Sequence, residues 1–240
     1  MILNLEEAAK LLAVPEVTIR RWIRQGKIPV REGRGQYFFV KKELEKWART
    51  HNIFLHRDLE NTPSQYEPDE NALHEAMRRG GVFFNVEGKE VDEVLRNAVS
   101  LCPLPPQVDR EFLMEMLLQR EKLASTGIGK GVAIPHPRYP LAEFSNEPLI
   151  TTCFLHSPVD FHAVDGIPVF VIFLMLSPTT KAHLFFLSRL SFCLRDQTFM
   201  SFLKQCSAQE ELLQKIAEME DEISGEKGFL PASPGAFGGP

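Results

Sequence analysis

The residues of this chain best suited to chemistry lie close together, between positions 120 and 138. The segment is Arg-Glu-Lys-Leu-Ala-Ser-Thr-Gly-Ile-Gly-Lys-Gly-Val-Ala-Ile-Pro-His-Pro-Arg. Arg120 can bind two phosphate oxygens at once through its planar guanidinium, and the hydroxyls of Ser125 and Thr126 add hydrogen-bond donors. The glycines that allow successive backbone N–H groups to face one concavity, and so to bind an anion, are Gly127, Gly129 and Gly131. The segment therefore predicts a phosphate-binding loop.

One histidine of this loop, His136, lies between Pro135 and Pro137. A proline favours extended geometry in the residue before it, so His136 is expected to be extended and stiff. Neutral imidazole is a competent nucleophile toward phosphorus at cellular pH. Because phosphoryl transfer requires mainly positioning and charge stabilisation from the protein, the loop predicts that His136 carries a phosphoryl group transiently.

Other chemistries fit the same residues less well. Lys130 is followed by Gly131, so the Ser or Thr that holds magnesium in a Walker A loop is missing, and the spacing of a dinucleotide-binding GxGxxG motif also fails. A hydrolase triad of Ser125, His136 and Asp165 can be assembled from residue types, but no GxSxG nucleophile elbow accompanies it. We therefore keep phosphate binding as the leading interpretation.

The composition narrows the remaining classes of protein. A chain of 240 residues with 44% hydrophobic and 25% charged residues is typical of globular proteins. The four cysteines are scattered without a CxxC pair, and His156 and His162, with Asp160 between them, are interpreted as loop residues rather than metal ligands. We expect no cofactor and no metal. The longest apolar run, residues 167–176, is too short to span a bilayer, and no secretion signal is present, so we expect a cytoplasmic protein without a membrane partner.

Charge and composition divide the chain into two units. Residues 1–57 contain twelve Lys and Arg against six Asp and Glu, a surplus of +6, whereas the remainder carries −11. This difference suggests units with different partners. Polar, proline-marked residues predict a linker at 52–69, and a Gly- and Pro-rich composition predicts a disordered tail at 224–240. The predicted domains are therefore 1–51 and 70–223.

The first unit has the pattern of a helix-turn-helix. Asn4 and Glu7 form a capping-box pattern at the start of one helix. A second helix, residues 16–25, has apolar residues on one side and basic residues on the other. A short hairpin with residues 33–35 at its tip and a third helix, residues 42–49, complete the unit. Such a unit can lay one helix in a DNA major groove and touch phosphates beside it.

The first unit resembles the excisionase-type branch of the MerR-like winged helix-turn-helix domains. The resemblance rests on Leu5-Glu-Glu-Ala-Ala-Lys-Leu-Leu, Val17-Thr-Ile-Arg-Arg-Trp-Ile, Gly26-Lys-Ile-Pro and Leu44-Glu-Lys-Trp. The residues predicted to contact DNA are those on the outer side of the second helix and one in the wing: Thr18, Arg20, Arg21, Arg24 and Arg34. Because a single small module binds weakly unless it is paired, a homodimer is a candidate state. The competing interpretation is an amphipathic helical hairpin with a solvated basic face.

The second unit alternates helical and strand patterns. This alternation predicts an α/β fold with a mixed sheet flanked by helices. The predicted strands are 81–86, 131–134, 149–155 and 167–176. The predicted helices are 72–79, 89–102, 108–122, 181–195 and 207–223.

About residues 70 to 222 resemble the type-2 enzyme IIA domains of the bacterial phosphoenolpyruvate-dependent phosphotransferase system, the fructose/mannitol and nitrogen-regulatory kind. The match is most specific from Arg120-Glu to Pro135-His136. The resemblance implies that His136 accepts phosphate from a histidine-containing phosphocarrier protein. It also implies that Arg120 and Ser125 are phosphate-site residues, and that His183, in Lys181-Ala-His-Leu, is a second active-site histidine.

Three functions are compatible with the two units. The leading hypothesis is a regulator whose phosphorylation at His136, which adds about −1.5 to −2 charges, is coupled to DNA binding and transcription control. The alternative is a phosphocarrier that relays phosphate to a IIB domain in sugar uptake. The third is a protein-interaction module in which the helix-turn-helix docks a protein target.

Overall fold

The computed structural model of the chain describes residues 1–12, 14–33, 35–50, 72–106, 108–138 and 147–226. The predicted linker at 52–69 lies outside the described residues, as do Arg34 of the predicted wing and residues 227–240 of the predicted tail. Among the described helices, none combines the length and apolar composition that crossing a membrane requires.

The N-terminal unit is a small helical domain with a three-stranded sheet. Its elements are β1 (Ile2–Leu3), α1 (Leu5–Leu11), α2 (Glu16–Arg24), β2 (Arg31–Gly33), β3 (Gln36–Val40) and α3 (Lys41–Thr50). The strands are antiparallel in the order β1-β3-β2. The predicted capping box is confirmed, because the Asn4 side chain accepts from the Glu7 N–H and the Glu7 carboxylate accepts from the Asn4 N–H, both at 2.9 Å.

The described part of the second unit begins at residue 72. Its helices are α4 (Ala72–Gly80), α5 (Val91–Leu101), α6 (Arg110–Leu123), α7 (Thr180–Arg195), α8 (Gln197–Leu203) and α9 (Gln209–Glu226). Its strands are β4 (Val82–Val86), β5 (Gly127–Gly129), β6 (Val132–Ala133), β7 (Leu149–Val159) and β8 (Val169–Leu176). The final helix therefore extends to Glu226, beyond the predicted start of the tail at 224.

The five strands described for this unit form one mixed sheet in the order β4-β7-β8-β6-β5. The pairs β4–β7 and β6–β8 are parallel, whereas β7–β8 and β5–β6 are antiparallel. The predicted α/β fold with a mixed sheet is confirmed. Strand β8, near the middle, is almost entirely buried, which agrees with its uninterrupted apolar sequence because a strand covered on both faces needs no polar alternation.

Helices cover both faces of the sheet. Alternate residues of a strand point to opposite faces, and Ile172 and Leu174 of β8 belong to the core shared with α5 and α6. Val171 and Phe173 belong instead to the core formed with the other four helices of the unit, α4, α7, α8 and α9. The buried residues of the N-terminal unit join the α5–α6 core. The N-terminal unit therefore packs on the side of the sheet that carries α6.

Candidate active site

The backbone just before His136 is anchored to neighbouring segments of the chain. The Ile134 N–H donates to the Thr126 carbonyl at 3.0 Å, and the Pro135 carbonyl accepts from the Met175 N–H at 2.9 Å. Ile134 itself is buried in the core. His136 therefore follows a short segment after β6 that main-chain hydrogen bonds hold in place.

The hydrogen bonds of the His136 ring define its neutral tautomer. Nδ1 lies 2.7 Å from the Ile134 carbonyl oxygen, and because a carbonyl only accepts, Nδ1 carries the proton. Nε2 then has a free lone pair, which accepts from the Arg120 Nε–H at 3.2 Å. Arg120 is held in turn by donating from Nη1 to the Ala124 carbonyl at 2.7 Å. Nε2 is therefore the nucleophilic atom, and it faces a guanidinium.

The surroundings of His136 keep it uncharged. Burial lowers the pKa of His136 to about 4, and the nearby His183 and Arg120 act in the same direction, against the hydrogen bond to Ile134. The pKa of His183 is also lowered, first by burial and then by the charge of Arg120. The two imidazole rings lie 4.8 Å apart between centroids. A neutral His136 at cellular pH is the form that attacks phosphorus.

We expect the His136 ring to titrate far below an ordinary histidine. In an imidazole ¹⁵N NMR titration of the folded chain, its midpoint should lie near pH 4, whereas in urea it should return to about 6.5. Between these two pH values, the His136 ring therefore binds a proton in the unfolded state but not in the folded state. The contribution to folding stability is complete above pH ~6.5 and is lost as the pH falls toward the folded value. A folded midpoint near 6.5 would contradict this burial argument.

Ser125 and Thr126 use their polar groups to hold the loop. The Ser125 hydroxyl donates to the Phe161 carbonyl and accepts from the Gly127 N–H at 2.9 Å. Thr126 is buried, and its N–H and hydroxyl both donate to the Glu121 carboxylate, at 2.9 and 2.6 Å. These hydroxyls are therefore engaged within the chain, and the Thr126 carbonyl binds the segment that leads to His136.

The glycines form a tight hairpin between β5 and β6 rather than an open anion-binding concavity. Gly129, Lys130 and Gly131 have φ angles of 93°, 56° and 80°. The Lys130 N–H donates to the Asp165 carboxylate at 2.6 Å, and a Cβ added to Gly129 would lie 2.8 Å from the same carboxylate. Glycine is required there because the turn needs a left-handed backbone and a close approach.

The structure thus brings three predicted residues together: His136, Arg120 and His183. The others, Ser125, Thr126, Gly127 and Gly129, belong to the adjoining hairpin. Two contributors were not predicted, the Ile134 carbonyl that sets the tautomer and the Glu121 carboxylate that binds Thr126. Glu121 was visible in the motif beside Arg120, but a backbone carbonyl leaves no signal in a sequence.

The predicted DNA contacts of α2 divide into two groups. Arg20 and Arg24 are exposed. Thr18 was expected on the outer side but is fully buried, and the Arg21 side chain is only 16% exposed. Both contact α6, where the Thr18 hydroxyl donates to Glu115 at 2.5 Å and Arg21 Nη1 lies 2.9 Å from the same carboxylate. The outer side of α2 is therefore shared between solvent and α6.

Comparison with known families agrees with this arrangement. Residues 75–219 match the family described as phosphoenolpyruvate-dependent sugar phosphotransferase system, EIIA 2. Residues 2–52 match a helix-turn-helix domain. The first match covers more than half of the chain and includes His136, Arg120 and His183.

Similar proteins include nitrogen regulatory proteins. That of Pseudomonas aeruginosa is 32% identical over 152 residues, which are 62% of this chain and 97% of the relative. That of Escherichia coli is 34% identical over 152 residues, 62% of this chain and 90% of the relative. The crystal structure of nitrogen regulatory protein IIA-Ntr from Neisseria meningitidis superposes with a TM-score of 0.53 at 27% identity, covering 62% of this chain and 98% of that one. The chain therefore belongs to the EIIA type 2 family of the phosphoenolpyruvate-dependent sugar phosphotransferase system, and a helix-turn-helix domain precedes its EIIA part.

Proposed function

We propose that this chain is a regulator in the cytoplasm that accepts a phosphoryl group on His136 and couples that state to DNA binding by its helix-turn-helix. The donor in this proposal is a histidine-containing phosphocarrier protein. Similarity to nitrogen regulatory proteins supports the regulatory half, and the match of residues 2–52 supports DNA as the second partner. The observation that carries the proposal is that one helix, α6, contacts both His136 and α2.

The transfer step uses the neutral ring of His136. Its Nε2 lone pair attacks the phosphorus of the donor phosphohistidine, and the donor N–P bond breaks as the new Nε2–P bond forms. The electron pair of the broken bond returns to the donor imidazole. The proton on Nδ1 stays there and remains hydrogen-bonded to the Ile134 carbonyl. Before transfer Arg120 donates to the Nε2 lone pair. It releases that hydrogen bond as Nε2 attacks and then donates to the phosphoryl oxygens, whose charge it stabilises.

Helix α6 offers a short path from this charge to the N-terminal unit. Arg120 lies in its last turn and Glu115 five residues earlier, a rise of about 7.5 Å. Glu115 contacts α2 through Thr18 and Arg21. Arg120 also lines a cavity of about 650 Å³ that is lined from the N-terminal unit by Lys10 of α1. A phosphoryl group on His136 would therefore change the charge at the edge of the contact between the two units.

The decisive experiment supplies phosphoenolpyruvate, the general phosphotransferase proteins and the full chain. We expect one acid-labile phosphoryl group per chain by mass spectrometry under alkaline conditions. Anisotropy with a labelled pool of random-sequence duplex DNA should then give different affinities for the phosphorylated and unphosphorylated chains. Absence of label, with donors active on a control protein, would reject the acceptor role. Label that reaches a sugar only when this chain is present would favour the phosphocarrier alternative.

A further inference from the structure

The contact between α2 and α6 engages two side chains, Thr18 and Arg21, that the sequence predicts to contact DNA. Glu115 lies near the middle of α6, 97 residues from Thr18. One carboxylate oxygen accepts from the Thr18 hydroxyl at 2.5 Å, and the other lies 2.9 Å from Arg21 Nη1. Trp22 packs beside them on Phe112 of α6, with 5.7 Å between the ring centroids. Charged and apolar contacts therefore hold this side of α2 against α6.

The Glu115 carboxylate resembles a DNA phosphate in presenting anionic acceptor oxygens to α2. Protein contacts to the DNA backbone are made mainly by arginine and by hydroxyl side chains, which donate to anionic oxygens. Glu115 presents two anionic oxygens to a guanidinium and a hydroxyl on the same helix. A donor that is bound to Glu115 is unavailable to a phosphate. The two acceptors therefore compete for the same pair of donors.

The contact also leaves Arg21 incompletely satisfied. Its Nε and Nη2 atoms are buried and have no hydrogen-bond partner in the part of the chain that the structure describes. The Asp109 carboxylate lies 3.8 Å from Nη2, which is an ion-pair distance and not a hydrogen bond. Buried donors without an acceptor destabilise the contact. A phosphate that bound the guanidinium through two parallel bonds would relieve that cost.

We propose that α6 is an internal docking surface that holds α2 in an autoinhibited position, with Glu115 in the place of a DNA phosphate. This inference rests on the proposed DNA-binding function and adds the contact that limits it. Arg20 and Arg24 stay exposed in the docked state, where they can make a first electrostatic encounter with DNA. Tight binding requires α2 to leave α6 and expose Thr18 and Arg21.

The test compares charge reversal at two positions of the same helix. Glu115→Arg opposes Arg21 with a like charge, and Glu115→Gln removes the charge with little change of shape. The matched control is Glu111→Arg, because Glu111 is 71% exposed and pairs with Arg96 within the second unit. All three are full-length, unphosphorylated chains titrated into the same random-sequence duplex pool. We expect Glu115→Arg to bind DNA roughly tenfold more tightly than Glu111→Arg. This ratio follows if α2 is undocked in only about a tenth of the Glu111→Arg molecules, because the apparent affinity falls with the fraction that can bind.

A second readout reports the contact without DNA. The chain has two tryptophans, Trp22 and Trp47, and Trp22 is buried beside Phe112. Opening the contact should expose Trp22 to solvent and shift the tryptophan emission to longer wavelength. We expect this shift in Glu115→Arg, a smaller one in Glu115→Gln and none in Glu111→Arg. Circular dichroism confirms that each variant is folded.

The outcomes separate this inference from the proposed function. Tighter DNA binding together with the emission shift supports autoinhibition. An emission shift with DNA affinity equal to that of wild type and of Glu111→Arg overturns autoinhibition and leaves the DNA-binding function intact. An emission shift with no DNA binding by any variant overturns both. Unchanged emission in folded Glu115→Arg shows that Glu115 does not hold the contact, which also overturns the inference.

Discussion

Replacing His136 with glutamine should abolish phosphoryl transfer to the chain. The glutamine side chain can still accept a hydrogen bond from Arg120, but its amide is not a nucleophile toward phosphorus. We expect incorporation from the phosphocarrier protein to fall by more than roughly 10³-fold, as when other covalent nucleophiles are removed. The measurement is the initial rate of label incorporation from phosphoenolpyruvate, with intact mass as a check on stoichiometry.

Two further variants make this prediction specific. His183→Gln keeps the His136 Nε2 lone pair and should be phosphorylated, at a reduced rate, because it lacks the second ring 4.8 Å away. His162→Gln removes a histidine whose side chain is 84% exposed, and it should match wild type. If His136→Gln still takes up one phosphoryl group, the acceptor is another residue and the assignment of Nε2 is wrong.

Replacing Glu220 with alanine should lower the free energy of unfolding by about 3 kcal/mol. Glu220 belongs to α9, is fully buried, and accepts from the Leu73 and His74 N–H groups, both at 2.8 Å. It therefore supplies acceptors to the first turn of α4, where backbone donors have no partner within the helix. Alanine leaves both donors buried without an acceptor. Urea unfolding followed by circular dichroism measures the change in midpoint.

The control for this prediction lies on the same helix. Glu218 is half-exposed and pairs with Lys215 at 2.9 Å, so Glu218→Ala should leave the unfolding midpoint close to that of wild type. Glu220→Gln retains one acceptor oxygen, so its unfolding midpoint should lie between those of Glu220→Ala and Glu218→Ala. Equal midpoints for Glu220→Ala and Glu218→Ala would show that the link between α9 and α4 contributes nothing measurable.

Strongly patterned segments of the sequence predicted their elements well. The apolar run at 167–176 became the buried strand β8, and the helical pattern at 108–122 became α6. Helix α8 was missed because seven residues carry little periodicity, although Asp196 caps it by accepting from the Phe199 N–H at 2.7 Å. Strand β1 is only two residues long, which is too short for any alternation to be visible.

The sequence predicted which residues meet at the site, but it predicted their hydrogen-bond partners less well. The loop motif singled out His136 and Arg120, which the structure places in contact. The same motif suggested that Ser125 and Thr126 present free hydroxyls, whereas both donate to partners within the chain. A donor's partner depends on which acceptor lies within about 3 Å, and for Ser125 that acceptor is the Phe161 carbonyl, 36 residues away.

Local patterns in the sequence alone determined the family of the second unit and the helix-turn-helix pattern of the first, and they predicted the nucleophile, because motifs, caps and periodicity depend on neighbouring residues. Only the tertiary structure decided the protonation of His136, since burial favours the neutral ring and the Ile134 carbonyl places its proton on Nδ1. The tertiary structure also decided which side chains of α2 are buried. Thr18 and Arg21 lie on the outer side of an isolated helix, but α6 supplies Glu115 from a distant part of the chain and covers them. Contacts between segments so far apart depend on how whole elements pack, which no local pattern contains.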